Sequence, residues 1–313
     1  MLRLSDNSRC TMIKALLFAL LCTISLPGFT QSNIRLNNYW ENPYYITPAS
    51  VSNVYSAVFS MAARKQWTGF PGAPSTAFAS ATIYLDKLQT QFGAKVFEDK
   101  IGYTSTTNVA LSYAYALALN EEWRLHLGVA ANYQSLSYDV SKVIIATQND
   151  PGLYENMARE SHYNADLGIE LASKPLRIGI ASQNIASLFS PGNKQQTNMN
   201  FLYGTYRNFT DNPIEFGGGI CGIQYSKIYQ MELNATAYFK LGQELDKERF
   251  QVGLIYRTTS ELGVIFGINL TNSLYLSYSY DYNVSGISRS SLGTHELMLV
   301  YRIVRDPECH TCY

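Results

Sequence analysis

The sequence predicts an all-β protein, a transmembrane antiparallel β-barrel of about 14 strands of the outer-membrane type. Three observations carry that expectation. Hydrophobicity alternates with period two from Ser52 onward, one face apolar and the other small or polar. Many alternating stretches run nine residues or more, against about five or six in a soluble sheet, and that is the length a tilted strand needs to cross a bilayer. Aromatics gather toward the ends of these stretches, as at Trp123 and Tyr133 or Tyr278, Tyr280 and Tyr282, where amphipathic rings sit at headgroup level.

Composition agrees. The 313 residues balance 24 Lys plus Arg against 24 Asp plus Glu, which argues against a nucleic-acid partner. Mean hydropathy is -0.10, and 24 Tyr and 14 Phe carry much of the apolar fraction. That leaves no room for several apolar spanning helices.

In chain order, Lys14 precedes an apolar run from Ala15 to Ile24, broken at Pro27-Gly28 and followed by Phe29-Thr30-Gln31. This reads as a signal peptide at 1–30, its apolar region of about ten residues too short for an anchor. Cys22 lacks the preceding small residue that lipid attachment requires. Residues 31–51 are expected as an N-terminal periplasmic segment, 52–304 as the barrel and 305–313 as a tail.

Along the barrel, Trp123, Leu125, Leu127, Val129, Ala131 and Tyr133 oppose Arg124, His126, Gly128, Ala130, Asn132 and Gln134. Val109 to Leu119, Tyr163 to Leu171, Tyr229 to Ala237, Leu262 to Leu270, Leu274 to Tyr280 and Leu297 to Ile303 repeat the alternation. With the apolar face toward lipid, the Gly, Ser, Asn and charged residues face a lumen, and the sheet must close to leave no unpaired backbone in hydrocarbon. Strand starts are expected near 52, 76, 91, 107, 123, 160, 176, 197, 214, 225, 250, 261, 273 and 295. An even number returns the C-terminus to the periplasmic side. Arg64 to Ser75, Ser141 to Arg159, Ala186 to Lys194 and Tyr282 to Thr294 then fall among the extracellular connections.

Chemistry-bearing residues are sparse. Beyond the signal peptide stand Cys221, Cys309 and Cys312, too few for a disulfide scaffold. Cys309-His310-Thr311-Cys312 offers at most three ligands near the terminus, so no metal and no cofactor is expected. Among His126, His162, His295 and His310, only His295 has an adjacent carboxylate, Glu296, and neighbours in a strand point to opposite faces. No catalytic residue is expected. Arg124, Asp166, Glu170, Arg177, Glu232, Arg257 and Arg302 would face inward, balanced in sign, either around a small channel or paired across a filled interior.

Several segments resemble one family. Asn42-Pro43 through Pro48-Ala49, the run Arg64-Lys65-Gln66-Trp67-Thr68-Gly69-Phe70-Pro71-Gly72-Ala73-Pro74, Phe97 to Gly102, Tyr278-Ser279-Tyr280-Asp281 and Gly293 to Leu299 look like the PorP/SprF family of Bacteroidetes outer-membrane proteins. Tyr44 stands where that family has alanine after Asn-Pro. The resemblance implies a noncatalytic component of the type IX secretion system in the cell outer membrane. Its partners would be the secretion machinery, membrane lipid and cargo with a C-terminal sorting domain, in some members gliding adhesins. A porin or small-solute transporter is the alternative.

Two groups are the candidate partner-contact or latch residues. The loop with Arg64, Trp67, Gly69, Phe70, Pro71 and Gly72 combines a guanidinium, aromatic rings and turn formers, so it is preordered for protein contact or folded back on the rim. Asp281, His295 and Glu296 fall at the ends of adjacent strands, where they would pair with each other or with a plug.

Overall fold

The computed structural model describes residues 35–139, 160–189, 197–241, 248–284 and 291–305. The expected signal peptide, the Cys309 and Cys312 tail and the whole 141–159 connection lie outside them.

Fourteen strands form the wall: β1 (Tyr55–Lys65), β2 (Ser75–Leu85), β3 (Thr90–Ile101), β4 (Thr104–Ala118), β5 (Arg124–Tyr138), β6 (Glu160–Ala172), β7 (Leu176–Gln183), β8 (Met199–Arg207), β9 (Ile214–Tyr225), β10 (Ile228–Lys240), β11 (Glu248–Arg257), β12 (Glu261–Asn269), β13 (Leu274–Asn283) and β14 (Thr294–Val304). Each pairs antiparallel with its chain neighbours, and β1 pairs with β14 to close the barrel. The largest departures from the expected starts are three residues, at β1 (52 against 55), β4 (107 against 104) and β10 (225 against 228). Strand ends are set by turn chemistry at the rim, which alternation does not encode.

The faces are assigned as the alternation requires. In β5, Leu127 and Val129 are exposed while His126, Gly128 and Ala130 are buried. Leu254 is 61% exposed at the middle of β11, between Ala235 and Val264 of its neighbours. So large an apolar wall has only lipid to meet. Leu254→Arg is therefore expected to lose about 2–4 kcal/mol of stability in bilayers. The measurement is urea-driven unfolding in vesicles, and an unchanged midpoint would contradict a lipid-facing wall.

The N-terminal segment departs from expectation. Residues 35–51, expected in the periplasm, are folded into the lumen, where Leu36, Asn37, Asn38, Tyr39, Ile46, Thr47, Ala49 and Val51 are all buried. This stretch is rich in Asn and Pro and has no period of two, so it does not add a strand. Pro43 instead opens a short 3-10 turn, Pro43–Tyr45, where its missing N–H costs nothing. Two apolar pads on the inner wall receive it. Leu36 and Tyr45 pack on Phe78, Phe97, Met298 and Val300, while Tyr39 and Ile46 pack on Phe201, Tyr203 and Ile223.

Candidate functional site

The lumen is the site, and Asn37 is its centre. The Asn37 backbone N–H donates to Glu296 at 2.8 Å, and its Nδ2 donates to Ser279 Oγ at 2.7 Å and Asp281 Oδ1 at 2.8 Å. Its Oδ1 accepts from Arg64 at 2.5 Å and from Arg257 at 2.6 Å. A side-chain amide has two donors and two acceptor sites, and all of them are used here. An aspartate would lose both donors and add a charge.

Around Asn37 the wall contributes one ion from each of six successive strands. Glu232 of β10 pairs with Arg257 of β11. Arg257 also binds Glu261 of β12 at 3.2 Å and Asp281 of β13 at 3.1 Å. Arg64 of β1 reaches Asp281 at 2.9 Å and Glu296 of β14 at 3.2 Å. Glu232 with Arg257, Arg257 with Glu261 and Glu296 with Arg64 are also direct cross-strand partners, the placement in which opposite charges help a sheet most. The cluster thus spans the β1–β14 seam and ties the plug to it.

The remaining plug contacts run around the wall. Asn38 donates to Tyr275 Oη at 2.8 Å, Asn234 donates to Tyr39 Oη at 2.9 Å, and Arg302 pairs with Glu41 at 2.6 Å. Gln183 Nε2 donates to the Ile46 carbonyl and Gln91 Nε2 to that of Ser50, each at 2.7 Å. Tyr44 shares a 2.7 Å hydrogen bond with Ser112 and lies where a side chain on Gly93 would otherwise project. Burial pushes its phenol up to about 12 against the pull of Ser112, so it stays neutral here.

Thr47 to Ala49 lies flat against β5 and β6, where Gly128 and Gly168 are direct partners. A Cβ on Gly128 would come within 2.6 Å of the Ala49 Cα, and one on Gly168 within 3.1 Å of the Ala49 Cβ. Glycine at this pair is what lets plug backbone approach wall backbone.

The candidate latch residues divide. Arg64, Asp281 and Glu296 come together in the central cluster. His295 does not join them: it is on the outer face, its Nδ1 2.7 Å from Tyr278 Oη and its ring beside Tyr280. The loop from Gln66 to Pro74 is held to the rim by Thr68 N–H on the Gly293 carbonyl (2.8 Å), Leu292 N–H on the Thr68 carbonyl (2.7 Å) and Gly102 N–H on the Gly72 carbonyl (3.1 Å). Trp67, Gly69 and Gly72 adopt positive φ, which places Phe70 at the tip, 50% exposed, next to exposed Pro71.

Sequence reasoning missed Asn37, Glu261 and the second buried group. His126, read as lacking a carboxylate neighbour, has its Nδ1 3.0 Å from Glu170 across the β5–β6 pair, and Tyr203 donates to Glu170 at 2.6 Å. The signal available was only that His126 and Glu170 both sit at inward positions. His126 Nε2 is buried with no hydrogen-bond partner among the described residues. At the rim opposite the Trp67 loop, below the plug, a cavity of about 890 Å³ is lined in part by Arg124, Lys174, Arg177, Arg207, Arg249 and Arg302.

A family model described as type IX secretion system membrane protein PorP/SprF matches residues 28–301. No curated protein matches the chain. Among solved structures, the chain is similar to the Acinetobacter baumannii outer membrane protein Omp33, with 9% identity, a TM-score of 0.48 and coverage of 80% of this chain and 100% of that one. It is also similar to the CymD monoaromatic hydrocarbon channel (10%, 0.47, 80% and 88%) and to the P. putida toluene transporter TodX (6%, 0.44, 83% and 93%). At these identities the likeness concerns the fold alone.

Proposed function

We propose, since this chain belongs to the PorP/SprF family of type IX secretion system membrane proteins, that it acts as a plugged, noncatalytic barrel assisting export and cell-surface attachment of cargo with a C-terminal sorting domain. It resides in the cell outer membrane, anchored by the apolar wall described above. The observation that favours an accessory role over a conduit is the filled lumen. Residues 35–51 are hydrogen-bonded to strands on opposite sides of the wall and locked by buried ions. A rigid plugged barrel offers its rim to other proteins, and the ordered loop presenting Phe70 and Pro71 suits such contact.

Affinity purification from the native outer membrane tests this role. Recovery of type IX machinery or a sorting-domain protein is expected. The rival porin role predicts a steady single-channel conductance from the purified protein in planar bilayers; the plugged barrel is expected to be silent. A stable open channel together with no copurifying secretion protein would replace the proposal with the porin.

A further inference from the structure

We propose that the outer wall at β14, β1, β2 and β3 binds a phosphorylated membrane lipid, one acyl chain lying in a groove of the wall and the phosphate at Lys65, Lys100 and His295. This rests on the barrel lying in a membrane and not on the secretion role. Much of the wall presents large side chains such as Leu254, Val264 and Phe266. Here a groove of about 420 Å³ has Ala63, Ala77 and Ala79 in its lining, with Met61, Val96, Leu297 and Leu299 beside them and Glu98 as its one charged member. The lining is continuous with the lipid-facing wall, so the medium that covers the wall also fills the groove.

The register of the sheet sets a polar row directly above it. Lys100 pairs with Ser75, Ser75 with Lys65, and Lys65 with His295. Two residues further into the membrane on the same face, Glu98, Ala77, Ala63 and Leu297 form the next row. Two lysines and an imidazole thus stand at the rim end of a channel that is apolar apart from Glu98, which Lys100 neutralises, the arrangement of a lipid whose anionic head sits over its chain. Lys65 Nζ donates to the Ala73 carbonyl at 2.9 Å, which uses one of its three protons. Lys100 shares a 2.9 Å ion pair with Glu98 in which the side chains are 56% and 41% exposed, and its remaining protons are available to a phosphate. His295 takes part in its Tyr278 hydrogen bond through Nδ1, leaving Nε2 for a phosphate oxygen.

The test is native mass spectrometry of the intact detergent-solubilised protein titrated with phosphatidylglycerol. The double variant Lys65→Gln with Lys100→Gln is expected to weaken binding by about tenfold or more. Ala77→Trp, which fills the groove and keeps the charges, is expected to weaken it as well, whereas Lys174→Gln at the opposite rim leaves it unchanged. Each variant is first shown to be folded by its heat-modifiable mobility on a gel. Equal binding by the double lysine variant and the parent overturns the proposal. So does displacement of the lipid by millimolar inorganic phosphate, which would make this a simple anion site. Recovery of a second barrel crosslinked at Ala77 would overturn it too, by making the groove a protein contact.

Discussion

Arg257→Ala is expected to cost the folded barrel about 3–5 kcal/mol, the usual penalty for removing one partner of a buried ion pair. The guanidinium is 1% exposed and is the ion-pair partner of Glu232, Glu261 and Asp281. It also holds the Asn37 carbonyl oxygen. Its loss leaves the buried Glu232 and Glu261 without this cation, removes one of the two arginines on Asp281 and frees one end of the plug. The measurement is the temperature at which the folded band converts to the unfolded one, or the midpoint of guanidinium unfolding. Removing charge from the other side separates this cause from lost packing: adding Glu232→Gln to Arg257→Ala should recover part of the deficit, because fewer anions are then stranded. Lys100→Ala, whose ion pair is exposed, should stay within about 1 kcal/mol of the parent. Equal behaviour of Arg257→Ala and Lys100→Ala would refute the buried cluster as a structural tie.

Gly128→Leu is expected to expel the plug and keep the wall. The new side chain would project into the backbone of Pro48 and Ala49, which cannot swing aside as a flexible side chain would. Backbone pairing of β5 with β4 and β6 is untouched, and leucine is better suited than glycine to a strand. The variant should therefore still form a heat-modifiable barrel, yet show ion conductance where the parent is silent and cleavage by trypsin near Arg35. Gly222→Leu is the control, since a Cβ there meets nothing nearer than the Leu202 carbonyl oxygen at 3.7 Å. Silence from Gly128→Leu, with the parent's resistance to trypsin, would show that residues 35–51 do not hold the lumen shut through this contact.

How far the sequence reached is clearest at particular residues. Asp281 and Glu296 were legible as latch candidates because they stand at the ends of adjacent strands, whereas Arg64, read as part of the loop to Pro74, belongs to β1 and turns inward. His295 was grouped with Asp281 and Glu296, although strand alternation puts it on the other face, where it meets Tyr278. Asn37 was invisible because its partner Glu296 lies 259 residues away and its own segment has no periodicity to orient it. One signal for the plug did exist: β14 is apolar on both faces from Leu297 to Tyr301, and Met298 and Val300 are buried inside. A strand with two apolar faces needs an apolar neighbour on each. Only an occupied lumen supplies the inner one.

By itself, then, the sequence determined that a closed barrel forms, how many strands it has and which side chains face lipid. Those follow from a period of two read locally, against a solvent that forbids open sheet edges. What fills the barrel, and which charges meet across it, was decided only in three dimensions. Closure brings six distant strands around one irregular segment, and the fit of Thr47 to Ala49 against two paired glycines depends on shape that no repeat in the chain records.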